Sequence, residues 1–252
     1  MHGLPPLFNS SPLSVALALV LGLILGSFIA ALTWRWPRGT SILKGRSHCD
    51  TCQTPLKPLN LIPVLSFLYQ NGRCTTCAAP ISRRHLGIEL AAGLIAALSL
   101  FVAPGLPGLA LASFGLLLLT LAVLDVEHFW LPNRLTLPLL ALGLALAPPP
   151  LPDRLWGALA GYASLTLIAF TYKKLRRREG MGGGDPKLFA AIGAWLGWTQ
   201  LPFVLLGAGL IGLLLVLLDK QRGAPLKPDT PLPLGSLLAL AAWPLALLQF
   251  GS

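Results

Sequence analysis

Charge is scarce in this sequence. Only 11% of its 252 residues are charged and just nine are Asp or Glu, whereas 54% are hydrophobic and the mean hydropathy is +0.72. Soluble globular domains carry about 25% charged residues. The composition therefore excludes an ordinary soluble domain and predicts a protein embedded in a lipid bilayer. Because acids are so few, each one within or beside a hydrophobic run is a functional candidate.

Basic residues are missing from the start of the chain. The first twelve residues contain no Lys or Arg, and the first basic cluster follows the first hydrophobic run. A secretory signal peptide has the opposite order, with positive charge ahead of its apolar core. We therefore expect an uncleaved anchor with its N-terminus outside. Eighteen of the nineteen Lys and Arg then lie in inside segments, and Arg154 is the exception, as the positive-inside rule predicts.

Eight hydrophobic runs follow one another along the chain. A membrane-spanning helix needs roughly 20 apolar residues, so the runs at 135–147 and 188–198 are short and need flanking residues or shielding by neighbouring helices. We expect an all-α integral membrane protein with about eight transmembrane helices, a small cytoplasmic zinc-binding loop domain and no internal repeat. Gly22 and Gly26 form a GxxxG pattern, which favours helix packing over cofactor binding. The runs are 13–31, 87–102, 105–124, 135–147, 155–172, 188–198, 201–218 and 232–250.

The loop between the first two runs contains all the cysteines, which form two Cys-x-x-Cys pairs: Cys49, Cys52, Cys74 and Cys77. Two such pairs can place four thiolates around one tetrahedral zinc ion, leaving no open position for chemistry. Two disulfides or four independent thiols are the alternatives. Structural disulfides seldom persist in the reducing cytoplasm, where this loop is expected, so structural zinc is favoured. His48 and His85 are interpreted as solvated loop histidines rather than metal ligands.

Two aspartates stand at the ends of hydrophobic runs. Asp125 ends the third run, and Asp185 follows the glycine-rich segment 180–184. In the expected topology both lie on the cytoplasmic side, so they can meet. An Asp before Pro186 is also an ordinary helix N-cap, and for Asp185 alone the two interpretations are equally good. An acid at the C-terminal end of a helix opposes the helix dipole, which favours a functional role for Asp125.

A pair of neighbouring carboxylates predicts peptide hydrolysis. Two such groups in a poorly solvated site share one proton. The ionised member can take a proton from an attacking water, while the protonated member can donate to the developing oxyanion and later to the leaving amine. A transporter or assembly scaffold that uses the aspartates for proton or cation relay is the competing hypothesis. It does not explain why both acids lie at one face.

Residues beside the aspartates are expected to admit a substrate. Glycines lack a Cβ and let an extended peptide come close, although a flexible turn is equally consistent with them. The substrate-approach residues in this hypothesis are Gly182, Gly183, Gly184 and Lys187. Glu127 is interpreted as a solvated interface charge, and Glu89 as a buried structural partner of a nearby arginine.

Short motifs follow a fixed order along most of the chain. They are LGSF at 25–28, RWP at 35–37, GRSHC at 45–49, NLIPVLS at 60–66, GRC at 72–74, PIS at 80–82, LPNRLTLP at 131–138, GGGDPKL at 182–188 and GAWLGW at 193–198. Together with Asp125, this set resembles the bacterial type IV prepilin leader peptidase/N-methyltransferase family of GxGD-type aspartyl peptidases. Three departures are modest: Asn60 and Asn133 stand where the family often has Asp, and residues 84–87 replace a more usual Arg-Tyr-Pro segment.

The resemblance implies a peptidase that removes the leader of type IV prepilins and type II secretion pseudopilins at the cytoplasmic face of the bacterial inner membrane. By position, Asp125 and Asp185 match the catalytic aspartates, and the four cysteines match the metal ligands. It also implies methylation of the new N-terminus with S-adenosylmethionine. The residues themselves do not support methyl transfer, because no dinucleotide-type glycine fingerprint follows a strand. A peptidase without this activity is the alternative. The expected partners are the substrates and the bilayer, not nucleic acid. The expected parts are an N-terminal transmembrane helix (1–34), the cysteine loop, assigned to methyl transfer (35–86), and a transmembrane peptidase domain (87–252).

Overall fold

The computed structural model describes residues 11–40, 48–49, 51–55, 58–177, 181–221 and 232–251, and their secondary structure consists of helices apart from two isolated backbone bridges. The all-α prediction is confirmed. The helices are α1 Pro12–Arg35, α2 Leu65–Tyr69, α3 Arg83–Val102, α4 Leu106–His128, α5 Asn133–Leu146, α6 Leu151–Arg176, α7 Asp185–Leu196, α8 Leu201–Gln221 and α9 Leu234–Gly251.

Six of these helices are long and apolar enough to cross a membrane: α1, α3, α4, α6, α8 and α9. The prediction of about eight spans is not confirmed. The two short runs form α5 and α7, with 14 and 12 residues. Helix α5 ends before three consecutive prolines at 148–150, which lack the backbone donor that a helix needs. Helix α7 ends at Gly197, whose φ of 79° stops a right-handed helix.

The chain divides into two compact units, Met1–Pro104 and Gly105–Ser252. In the first unit, α1 packs closely along α3. A Cβ on Gly22 would lie 2.6 Å from the carbonyl oxygen of Ala92, and one on Gly26 would lie 2.7 Å from Glu89 Cα. The two glycines therefore allow the helix backbones to approach, which confirms the packing role predicted from the GxxxG pattern. The three-part division at 34 and 86 stays a prediction.

Helix α7 is the centre of the second unit. All of its residues except Lys187 are buried. The Trp195 ring stacks on Phe114 of α4 with 4.8 Å between ring centroids, and its Nε1 donates to the carbonyl oxygen of Leu139 in α5 at 2.8 Å. Neighbouring helices on several sides explain how so short a helix is accommodated, because protein rather than lipid surrounds its ends.

Arg154 has a structural role that explains its exceptional position in the charge pattern. Its Nη1 donates to the carbonyl oxygen of Leu144 in the last turn of α5, at 2.8 Å, and its Nε donates to the carbonyl oxygen of Pro149. A cation at this point satisfies carbonyls that a helix end leaves without intrahelical partners. The single basic residue outside the predicted inside segments thus closes the C-terminal end of α5.

Candidate active site and metal centre

Asp125 lies in the last turn of α4 and is only 4% exposed. Its Oδ2 accepts hydrogen bonds from the first turn of α9: the Ser236 backbone N–H donates at 2.7 Å and the Ser236 hydroxyl lies at 3.0 Å. The backbone amide of Gly235 also interacts with this carboxyl group. Three donors from one helix end therefore surround a single carboxylate, an arrangement that stabilises its charged form.

Asp185 is the first residue of α7 and is 6% exposed. Its backbone N–H donates to the carbonyl oxygen of Gly182 at 3.3 Å, and Gly184 occupies the N-cap position. The alternative interpretation of Asp185 as an N-cap is therefore not supported. Its Oδ1 is buried and finds no hydrogen-bond partner among the described residues. Buried carboxylate oxygens are normally satisfied, so this atom is suited to an incoming polar group.

The two carboxyl groups lie in one place, because the side chain of Leu131 packs against both Gly235, which adjoins Asp125, and Gly184, which precedes Asp185. A Cβ on Gly235 would lie 3.0 Å from Asp125 Oδ2, so a glycine is needed for this approach. Asp185 lies outside the six candidate spans. Burial raises the pKa of Asp185, and the negative charge of Asp125 raises it further, to about 6. The two aspartates are therefore electrostatically coupled, as a pair that shares a proton must be.

Gly235 and Ser236 were missed by the sequence-based reasoning. They act through backbone amides and one small hydroxyl, which form no recognisable catalytic pattern. The available signal was weak: a Pro-Leu-Gly-Ser segment at 233–236 that opens the last hydrophobic run. Such a segment reads first as an ordinary helix start.

The predicted substrate-approach residues lie next to Asp185. Gly182 and Gly183 are exposed, and Gly184 is partly buried against the side chain of Leu131. Lys187 Nζ donates to Asn133 Oδ1 at 3.0 Å, which ties the first turn of α7 to the start of α5. The structure thus brings these four residues beside the aspartate pair. Their role toward a substrate stays a prediction.

Two other acids were assigned structural roles. Glu127 is exposed and lies 3.9 Å from His128, in agreement with a solvated charge. Glu89 is buried, and its Oε2 accepts a hydrogen bond from the backbone N–H of Val64 at 2.8 Å. The nearby guanidinium of Arg84 instead donates to the carbonyl oxygen of Ala30 and to Thr33 Oγ1. The recorded partner of Glu89 is therefore a loop amide.

The four cysteines of the first unit form one cluster, in which all the sulfur atoms lie within 4.8 Å of one another. All four are free thiols, so two disulfides are not formed. The cross-pair distances are 3.8 Å for Cys49 to Cys77 and 4.0 Å for Cys52 to Cys74. Four sulfurs bound tetrahedrally at the usual Zn–S distance would be about 3.8 Å apart. The cluster can therefore hold a metal ion.

Each cysteine pair sits in the same backbone turn. The backbone N–H of the first Cys in each pair donates to the carbonyl oxygen five residues later, which belongs to Thr54 in one turn and to Ala79 in the other. The residue after the second Cys has a positive φ in both turns, 56° at Gln53 and 58° at Ala78. Backbone bridges close the turns between His48 and Pro55 and between Arg73 and Pro80. The two Cys-x-x-Cys pairs therefore belong to a longer shared motif, Cys-x-x-Cys-x-x-Pro, at 49–55 and 74–80.

Electrostatics within the cluster favour a bound cation. Hydrogen bonds from the Thr54 side chain and backbone lower the pKa of Cys52 to about 6, and backbone hydrogen bonds from Cys77 and Thr76 lower that of Cys74. The backbone of Ala79 acts in the same direction on Cys77, but burial and the neighbouring thiols raise its pKa to about 11. Four thiolates cannot coexist at this spacing unless positive charge offsets their repulsion.

Comparison with known proteins identifies the family. The Bacterial Peptidase A24 N-terminal domain model matches residues 20–103, and the Type IV leader peptidase family model matches residues 112–217. A prepilin leader peptidase/N-methyltransferase of Aeromonas hydrophila is 36% identical, over 96% of this chain and 91% of the relative. The chain belongs to the type IV leader peptidase family. The matched regions contain both aspartates and all four cysteines, and the resemblance inferred from the ordered motifs is confirmed.

Further members of the type IV leader peptidase family are similarly close. A prepilin leader peptidase/N-methyltransferase of Burkholderia pseudomallei is 39% identical over 90% of this chain and 83% of the relative. One of Dichelobacter nodosus is 40% identical over 81% of this chain and 71% of the relative. No solved structure matches the chain significantly. Neither a transporter nor a scaffold is favoured by these relationships.

Proposed function

We propose that this protein is a membrane-embedded aspartyl peptidase that removes the leader peptide of type IV prepilins and type II secretion pseudopilins, with Asp125 and Asp185 as its catalytic pair. The observation that carries the assignment is that two buried carboxyl groups lie close enough for the charge of one to act on the other. The names of the relatives support prepilins as substrates. Hydrolysis needs one ionised and one protonated carboxyl group, and a coupled pair supplies both.

The surroundings of the two aspartates suggest different roles. The backbone N–H and the hydroxyl of Ser236 both donate to Asp125 Oδ2, so we assign Asp125 as the general base. Burial and the charge of Asp125 raise the pKa of Asp185 to about 6, which makes this carboxyl group easier to protonate, and we assign it as the general acid. Asp125 takes a proton from water while the water oxygen bonds the scissile carbonyl carbon. Asp185 donates to the carbonyl oxygen. As the C–N bond then breaks, the nitrogen takes the proton from Asp125, and one hydroxyl of the tetrahedral carbon returns a proton to Asp185.

The open side of Asp185 is the proposed route for the peptide. Exposed Gly182 and Gly183 present no side chain, so an extended substrate backbone can lie close to the carboxyl groups. Lys187, held by Asn133, fixes the first turn of α7 at the same edge. The buried and unpartnered Asp185 Oδ1 is the atom that the substrate carbonyl or the attacking water would satisfy.

The protein also methylates the N-terminus that cleavage creates, as the names of its relatives indicate. Bound S-adenosylmethionine would supply the methyl group, and the free amine of the processed N-terminus would accept it and lose a proton to solvent. We assign this activity to the part containing the cysteine loop, residues 35–86, and peptidase activity to residues 87–252. Cleavage must come first, because a peptide nitrogen has no available lone pair.

The cysteine cluster is proposed to hold one structural zinc ion. Its sulfur separations fit four-thiolate coordination, in which no position remains for water or substrate. The ion would link the two repeated turns and fold a segment that contains little apolar core of its own. We further propose that this loop and both aspartates lie at the cytoplasmic side of the bacterial inner membrane, with the N-terminus outside, and the distribution of Lys and Arg supports this orientation.

A cleavage assay with purified full-length protein in lipid tests the peptidase proposal. Asp125→Asn and Asp185→Asn should each lower the rate of prepilin leader removal by at least on the order of 10²- to 10⁴-fold, the usual contribution of a positioned acid or base. Asp153→Asn is the matched control. Asp153 lies in the first turn of α6, so this variant should cleave prepilin at the wild-type rate. Unimpaired cleavage by either catalytic-pair variant would exclude the mechanism.

A further inference from the structure

The first unit contains a cavity of about 820 Å³ that no step of peptide hydrolysis uses. Its wall comes from the C-terminal part of α1, from α2, from the first turns of α3 and from both cysteine turns. Pockets for small ligands and cofactors typically enclose about 300 to 1,000 Å³. A cavity of this size can take a molecule of nucleoside dimensions rather than only an ion or water.

Charges of opposite sign line this cavity. Glu89 is 8% exposed and contributes a carboxyl group whose Oε2 is held by the Val64 N–H. Arg35 and Arg38 contribute positive charge. The Arg38 guanidinium lies 3.7 Å from the centroid of the Trp34 ring, which holds the cation in place. A ligand that carries both a carboxylate and cationic or hydroxyl groups would therefore find partners for each.

An aromatic surface connects the cavity to the second cysteine turn. Phe67 lines the cavity, and a Cβ on Gly72 would lie 2.9 Å from its ring, so the ring packs directly on the backbone that leads to Cys74. Cys49 and Cys74 also reach the cavity wall. Proper folding of the metal cluster is thus coupled to the shape of the cavity.

We propose that this cavity is the binding site for S-adenosylmethionine, a proposal that rests on the methyltransferase part of the proposed function. The ligand combines a planar base, a ribose diol, a positively charged sulfur and an amino acid carboxylate. Phe67 offers an apolar face for the base, Glu89 accepts from the ribose hydroxyls and Arg35 and Arg38 bind the carboxylate. Buried carboxylates that accept from ribose hydroxyls are a recurring device in nucleotide sites.

Direct binding of S-adenosylmethionine to the full chain in lipid nanodiscs, measured by isothermal titration calorimetry, tests the proposal. Glu89→Gln keeps the shape and can still accept from the Val64 N–H, but it loses the charge. It should weaken binding about tenfold or more while leader cleavage stays at the wild-type rate. Asp219→Asn, a carboxyl-to-amide change in α8 and outside the cavity, should bind like wild type.

A second pair of variants tests the cavity without changing charge. Ser66 and Leu68 are neighbours on α2, but Ser66 lines the cavity whereas Leu68 is 61% exposed. Ser66→Trp should fill the cavity and abolish binding, and Leu68→Trp should leave it unchanged. Normal cleavage by each variant shows that the chain is folded.

Two results would overturn the assignment. If Glu89→Gln and Ser66→Trp both bind S-adenosylmethionine as wild type does, the ligand occupies another site. If binding is unchanged but methylation falls and the KM for the processed peptide rises, the cavity receives the peptide N-terminus instead. Failure of the methyltransferase function itself is distinguishable, because wild-type protein would then cleave prepilin without adding the mass of one methyl group.

Discussion

Replacing Ser236 by Ala removes one hydroxyl group from the candidate peptidase site while the backbone of α9 stays intact. The hydroxyl oxygen lies 3.0 Å from Asp125 Oδ2 and 2.9 Å from the carbonyl oxygen of Ala122. Its single hydrogen can be donated to only one of them at a time. When Asp125 is ionised, the hydroxyl donates to it. After Asp125 has taken a proton from water, the carboxyl group can donate to Ser236 Oγ, and the hydroxyl can turn to Ala122.

Loss of the Ser236 hydroxyl destabilises mainly the ionised form of Asp125. A hydrogen bond to a charged group contributes about 1.5 to 3 kcal/mol. The Ser236 N–H remains at 2.7 Å and the Gly235 amide also remains, so the lower end of this range applies. Each pH unit corresponds to about 1.36 kcal/mol. Because the hydroxyl favours the charged carboxylate, its removal lets Asp125 gain a proton at higher pH, and the acid limb of the activity profile should move up by roughly one unit.

The assay is kcat/KM for prepilin leader removal as a function of pH, with purified protein in lipid. Ser236→Thr keeps the hydroxyl and should retain the wild-type profile. Ser113→Ala is the matched control, because that helical hydroxyl donates to the carbonyl oxygen of Ala110 at 2.7 Å and should have no influence on the pH dependence. A Ser236→Ala profile that superimposes on the wild-type one would show that the hydroxyl does not stabilise the catalytic charge.

Two further predictions concern the supporting structure. Purified protein should contain about one zinc ion per chain by mass spectrometry, and the double replacement of Cys49 and Cys52 by Ser should remove the metal and lower the unfolding temperature; a metal-free protein of unchanged stability would contradict this. Gly157→Ala places a Cβ against the carbonyl oxygen of Gly193 and should destabilise the protein by about 1 to 3 kcal/mol in thermal unfolding. Gly209→Ala, which meets nothing within 4 Å, should instead be neutral or stabilising by up to about 1 kcal/mol, and equal effects of the two changes would contradict the packing argument.

The catalytic candidates were predictable because they are costly residues in unusual places. An acid next to a hydrophobic run is rare, and only nine acids occur in the whole sequence, so Asp125 and Asp185 stood out. The cysteine spacing was similarly informative, because few arrangements other than a metal site need two such pairs. The helices were predictable from their hydrophobic runs, but which of them are long enough to span a membrane was not. That property depends on where a helix ends, and prolines at 148–150 and Gly197 end α5 and α7 early.

The supporting residues could not be predicted, since their contributions depend on three-dimensional proximity. Ser236 lies 111 positions from the carboxylate that it contacts, and a serine at a helix start has an ordinary capping explanation. The cavity that contains Glu89 likewise draws its wall from segments separated in the sequence. A backbone amide such as that of Gly235 has no residue-specific signature at all.

The position of α9 resolves a difficulty that the sequence alone presents. Asp125 lies in the last turn of α4, where the negative end of the helix dipole disfavours a carboxylate. The N-terminal turn of α9 faces the same group, and its amides donate from Gly235 and Ser236. A helix N-terminus carries the opposite partial charge, so it offsets the unfavourable field at Asp125. Asp185, at the N-terminal end of its own helix, needs no such compensation. The base proposed at the end of α4 therefore depends on α9, and the proposed peptidase activity should be lost if the chain is truncated before Leu234 even when α4 and α7 remain.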